Sequence, residues 1–68
     1  MSMPKQVCRL VEQALKDEEE AVRFYKNAST KLRFSEYPSL SVQFWKIAQD
    51  EEQHKKALEK IHRTLCKP

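Results

Sequence analysis

Residues 40–65 read LSVQFWKIAQDEEQHKKALEKIHRTL, and this stretch decides the fold. Leu40, Phe44, Ile47, Leu58, Ile61 and Leu65 fall into a series with spacings of four and three, whose two middle places are taken by Glu51 and His54. That spacing puts every member on one stripe of an α-helix and is the heptad seam of bundled helices. Working outward, the same series occurs upstream in Val7, Val11, Ala14, Glu18, Ala21, Tyr25, Ala28 and Leu32. Leu10, Leu15, Val22 and Ala48 widen the two stripes to the breadth that a four-helix core needs.

Between the seams, Phe34-Ser35-Glu36-Tyr37-Pro38 reads as a short connection, because Pro38 pushes Tyr37 out of the helical region. Glycine is absent and the three prolines are Pro4, Pro38 and Pro68, so two long stretches are free of strong helix breakers. Pro4 suits the first turn of a helix, where its missing N–H costs nothing. Ser35 or Ser39 could cap the second helix. The expectation is a single all-α domain, an antiparallel hairpin with one helix over about 4–33, a turn over 34–38 and a second helix over about 39–66.

A chain of 68 residues buries little core by itself, and a two-helix hairpin gives each helix only one neighbour. Pairing with a second copy into a four-helix bundle, as a homodimer or a higher even oligomer, is therefore expected. The net charge of +3 comes from 13 basic and 10 acidic residues. Lys55, Lys56, Lys60 and Arg63 read as a solvated helix face rather than a nucleic-acid footprint, since no aromatic residues interleave with them. No apolar run approaches the ~20 residues of a membrane span, and Met1-Ser2-Met3-Pro4-Lys5 lacks an apolar signal core. These features point to a cytoplasmic chain with no membrane or nucleic-acid partner.

Cys8 and Cys66 form no CxxC pair, which excludes a zinc ribbon or rubredoxin-type iron site. Both fall at the end of the hairpin far from the turn, at nearly equal distances from it. A disulfide is geometrically feasible there, but free thiols are the expectation for a cytoplasmic protein.

Ionisable groups interrupt both seams: Glu18 in the first, Glu51 and His54 in the second. A carboxylate in an apolar core is costly unless paired or bound to a cation. Counted back from the turn, Glu18 and Glu51 differ in height by roughly one helical turn or less, at ~1.5 Å per residue. An antiparallel hairpin therefore sets Glu18 beside Glu51 and His54. Glu51-x-x-His54 sends both side chains from one helix face. Glu19, Glu20, Asp50 and Glu52 read as a solvated face, His62 as surface, and Phe24, Phe44 and Trp45 as core or interface groups.

Ferritin-like di-iron proteins use a Glu from each of two helices and a Glu-x-x-His from each of the other two. One copy of this chain supplies one of each, and two copies supply two Glu18, two Glu51 and two His54. The stretch Ala14-Leu15-Lys16-Asp17-Glu18-Glu19-Glu20-Ala21-Val22-Arg23-Phe24-Tyr25 resembles the first ligand helix of rubrerythrins and of encapsulated ferritins. In those helices a Glu is followed by Ala at three and Tyr at seven residues, as Glu18, Ala21 and Tyr25 are here. Ile47-Ala48-Gln49-Asp50-Glu51-Glu52-Gln53-His54 is similar to the second, with Ala three residues before the Glu. The likeness covers about half the chain. Rubrerythrins carry four helices in one chain and a rubredoxin module, whereas two helices and no such module are found here. Encapsulated ferritins are similar half-bundles assembled from copies, but are usually longer and carry a targeting tail.

What the resemblance implies is a di-iron centre, two irons per dimer, that reacts with dioxygen or peroxide as a ferroxidase or a rubrerythrin-like peroxidase. Glu51 would bridge the metals, Glu18 and His54 would be terminal or flexible ligands, and Tyr25 would hydrogen-bond a ligand carboxylate. The mixed oxygen and nitrogen donors suit iron or manganese and also admit zinc. Two rivals stand beside this reading. One is a metal-free helical hairpin that only dimerises or docks on a partner, and such a module has no need of Glu18, Glu51 and His54 at one level. The other is a di-metal scaffold for iron storage or delivery with little turnover.

Overall fold

A computed structural model of the chain describes residues 4–66. Met1, Ser2, Met3, Lys67 and Pro68 lie outside the described residues, and with them most of the N-terminus read for a signal core. Helix α1 runs over Lys5–Leu32 and helix α2 over Pro38–Leu65, 28 residues each. They pack side by side as a hairpin with extents of 52 × 14 × 12 Å. No described helix is long and apolar enough to cross a membrane.

The helix boundaries fall close to those expected, with differences at the turn. Pro38 belongs to α2 rather than to the connection, because a proline in the first turn of a helix forfeits only an N–H that has no intrahelical partner. Tyr37, at φ −126° and ψ 56°, takes the capping position without a side-chain cap. Ser35 and Ser39 therefore do not cap α2 as expected. Ser35 instead braces the turn: its hydroxyl donates to the Leu32 carbonyl at 2.8 Å and accepts from the Tyr37 N–H at 3.0 Å. At the other end Pro4 precedes α1, and its carbonyl accepts from the Val7 and Cys8 N–H groups at 3.0 and 3.1 Å.

The tightest contact between the helices is not the heptad seam but the row beside it. Val22 and Ser29 on α1, seven residues apart, and Ala48 and Ser41 on α2, also seven apart, are the four buried residues among those described. Ala48 is completely covered, and small side chains at three of the four positions let the backbones approach closely. Ser29 Oγ donates to the Ser41 carbonyl at 2.8 Å, and Ser41 Oγ donates to the Ser29 carbonyl at 2.7 Å. Two buried hydroxyls thus satisfy each other's helices, as buried polar groups must.

Because the small-residue row takes the contact, the heptad seams are left half open. Val7, Leu40, Ile47 and Ile61 are each exposed by more than a third, and Leu10 is 71 % exposed. A hairpin with its own helices fully packed therefore still presents a long apolar face.

Cys8 and Cys66 are joined by a disulfide, with Cα atoms 5.6 Å apart. This corrects the expectation of two free thiols. The first turn of α1 and the end of α2 reach the same height, and that separation lies within the ordinary bridging range. Close by, at the surface, His62 approaches Glu12, Nε2 to Oε1 3.3 Å.

Candidate metal centre

Glu18 sits midway along α1, and Glu51 and His54 sit midway along α2. Their side chains converge as the level count requires: one ligand atom from each lies within 4.8 Å of the others. His54 Nδ1 is 4.0 Å from Glu18 Oε1 and 3.9 Å from Glu51 Oε2. Both separations are too long for hydrogen bonds, so the imidazole is gathered with the carboxylates without being bonded to them. Glu18 and Glu51 are largely covered, at 22 % and 23 % side-chain exposure, while His54 is 63 % exposed and stands on the open face.

The two carboxylates make an unstable pair when no cation is shared. A hydrogen bond with the Glu51 carboxyl holds the Glu18 pKa above its ordinary value; desolvation and the negative charge of Glu51 push the same way, and His54 opposes them. Glu18 Oε2 is fully shielded from water and has no hydrogen-bond partner among the described residues. An acceptor stranded in this way loses free energy unless a cation or donor meets it. Ligand atoms about 2.0–2.2 Å from one ion lie at most about 4.4 Å apart, and the two measured His54 distances fall inside that limit. The donor set suits a divalent transition metal in its chemistry, and His54 lies close enough to each carboxylate to share an ion with it.

Tyr25 lies two turns from Glu18 along the same seam. Its ring stacks on Phe44, centroids 5.9 Å apart, and meets the edge of Phe24 at 5.3 Å. Within one hairpin its described contacts are these rings, and a hydrogen bond to Glu18 or Glu51 is not among them. Phe24 itself is 63 % exposed.

Two features near the site escaped the sequence reading. Glu52, expected on a solvated face, accepts from Lys26 Nζ at 2.6 Å across the hairpin, and this ion pair holds its pKa below the usual range. The Lys26 ammonium also lies 5.9 Å from the Trp45 ring centroid. Lys26 lies about seven residues before the turn and Glu52 about fifteen after it, so counting equal distances from the turn does not suggest the pair. A shallow groove lined by Ser29, Arg33, Pro38, Ser41, Val42 and Trp45 lies toward the turn, and none of the candidate ligands lines it.

With this geometry in view, the comparison with known families is decisive about kinship. The rubrerythrin family model matches residues 9–67, which takes in nearly all of both helices. The chain belongs to the rubrerythrin family, within the ferritin-like superfamily. No curated protein and no solved structure gives a significant match.

Proposed function

We propose that two copies of this hairpin close face to face into a four-helix bundle and hold a pair of iron ions between them. Each copy contributes Glu18, Glu51 and His54, which completes the six-residue set of a ferritin-like di-iron protein. The stranded Oε2 of Glu18, beside Glu51 and His54 at one level, is the observation that carries this reading. The exposed apolar seam supports it, since His54 stands on that same open face.

In the assembled bundle, Glu18, Glu51 and His54 of each copy would hold the ions. Bound there, iron supplies the redox chemistry by which Fe(II) is oxidised with dioxygen or peroxide, as a ferroxidase or a rubrerythrin-like peroxidase. The chain's own residues do the rest. Glu18 and Glu51 balance the positive charge. Leu58, Ile47 and Phe44, above and below them in the seam, exclude bulk water once the second copy covers them. Tyr25 would stand beside the ligands in the closed core and donate its phenolic proton to a carboxylate. Manganese or zinc could occupy the same donors, and the cytoplasm, where Fe(II) is available, is the setting we assign.

Single substitutions test the ligand set. Glu18→Ala, Glu51→Ala and His54→Ala should each lose most of the bound iron and the associated dioxygen or peroxide consumption, with helical content retained by circular dichroism. Unchanged iron content in all three would overturn the assignment, and a wild-type protein that takes up no iron would leave a metal-free interaction module as the better reading.

A further inference from the structure

The chain has only two cysteines, and the fold joins them at the end of the hairpin that the turn does not close. Cys8 stands in the first turn of α1, and Cys66 immediately follows α2. Around them the apolar packing is thin: Val7 and Ile61 are each 38 % exposed, and Leu10 is nearly bare. The His62–Glu12 contact, itself partly open to water, is the neighbouring polar link. Both cysteines are half-buried, so the bond keeps some access to solvent. Solvent-accessible disulfides are the labile and regulatory ones, whereas buried structural disulfides resist exchange.

We infer that Cys8–Cys66 is a reversible redox tether that sets the local stability of the open end of the hairpin. A dithiol reductant opens it by exchange. One reductant thiolate attacks a sulfur of the pair and displaces the other cysteine as a thiolate, and the second reductant thiol then releases the first cysteine as its own disulfide forms. Two electrons and two protons reach the protein, leaving two cysteine thiols. Hydrogen peroxide closes it. One cysteine thiolate attacks a peroxide oxygen, the O–O bond breaks and hydroxide leaves, giving a sulfenic acid. The other cysteine attacks that sulfur and water leaves, so that two thiols and one peroxide become one disulfide and two waters. In the open state the first two turns of α1 and the last two of α2 lose their covalent link and rest on little buried surface. In the closed state they are held in register. The tether needs no metal, so its test stands apart from that of the iron reading.

The experiment uses the metal-free, full-length protein and follows amide hydrogen exchange by mass spectrometry, with and without dithiothreitol. Reduction under native conditions should yield two titratable thiols per chain. It should speed exchange near residues 8–12 and 60–65 by about tenfold or more, while residues 22–29 and 41–48 change far less. One equivalent of hydrogen peroxide should restore the original pattern with the disulfide inside one chain. A Cys8→Ser, Cys66→Ser double variant should match the reduced wild type and ignore the reductant. Thiols that react only in denaturant, a uniform rise in exchange along both helices, reoxidation between chains, or a double variant that exchanges like the oxidised protein would each overturn the inference.

Discussion

At the turn end of the hairpin, Ser29 and Ser41 are buried and exchange hydrogen bonds between helices, whereas at the open end Cys8 and Cys66 are half-buried and joined covalently. The difference follows from chain connectivity. Near the turn the helices are held close by a short link, so small side chains and two hydroxyls suffice to seat them. At the open end nothing in the backbone keeps the helices together, and the local apolar surface is too little to replace it. Glu18, Glu51 and His54 lie between these fastenings, where the spacing of the helices is fixed from both sides.

The largest effect in this comparison belongs to the disulfide. The bond joins residues 58 apart, and closing a loop of that length removes unfolded-state entropy worth about 4 kcal/mol in the chain-entropy description. Reduced protein should therefore be less stable by roughly that amount in a urea titration at fixed chain concentration. A loss near zero would mean that packing alone holds the open end. Replacing Ser29 with Ala should cost about 1 kcal/mol, the usual net value of one such hydrogen bond, because Ser41 still donates to the Ser29 carbonyl. The two fastenings are ~30 Å apart along the helices, so the loss from reduction and the loss from Ser29→Ala should add. Marked coupling between them in a double-perturbation cycle would show that the ends are not independent.

Smaller in size and opposite in sign is the expected effect of Glu18→Gln on the metal-free protein. The Glu18 pKa is raised in the folded state, so folding takes up protons relative to the unfolded chain. Stability from this group is present in acid and is lost as the pH rises from the ordinary carboxylate value of 4.5 through the raised one. The Gln variant should flatten that decline and melt higher than wild type at neutral pH. A wild-type melting temperature that instead climbs across this range by virtue of Glu18 would contradict the repulsive carboxylate pair. Lys26→Ala should have the least effect of all, because the Lys26–Glu52 ion pair is solvated. The pKa of Glu52 is depressed, so its contribution is present above the ordinary value and vanishes as the pH falls through the lowered one. High salt should erase the difference between Lys26→Ala and wild type.

The parts of this molecule legible in its sequence are those fixed by periodicity. The spacing of Leu40, Phe44, Ile47, Leu58, Ile61 and Leu65, and its counterpart in α1, gave two helices with ends near their observed positions. Counting from the turn then set Glu18 level with Glu51 and His54, as found. What periodicity does not encode is which row of a wide stripe makes the closest contact. Val22 and Ala48 could be seen to widen the stripes, but Ser29 and Ser41 look like solvent-facing serines until their carbonyl partners are in place. The disulfide ran against the expectation of free thiols, since equal distance from the turn permits a bond without requiring it. Pro38 was placed in the connection because a proline disfavours helix in the residue before it, yet that same rule allows the proline itself to begin α2.

The shared iron site is tested most directly by sedimentation equilibrium of apo and Fe(II)-loaded protein under anaerobic conditions, with iron counted in the same samples. Two irons per pair of chains are expected, at a mass of two chains or an even multiple. Loading should shift the equilibrium toward assembly, because a ligand that binds only the assembled state stabilises it by about 2.7 kcal/mol at ~100 times its dissociation constant. Excess chelator should strip the metal and reverse the shift. Iron bound to monomeric chains, or bound with no change in assembly, would contradict a site built from two copies of Glu18, Glu51 and His54.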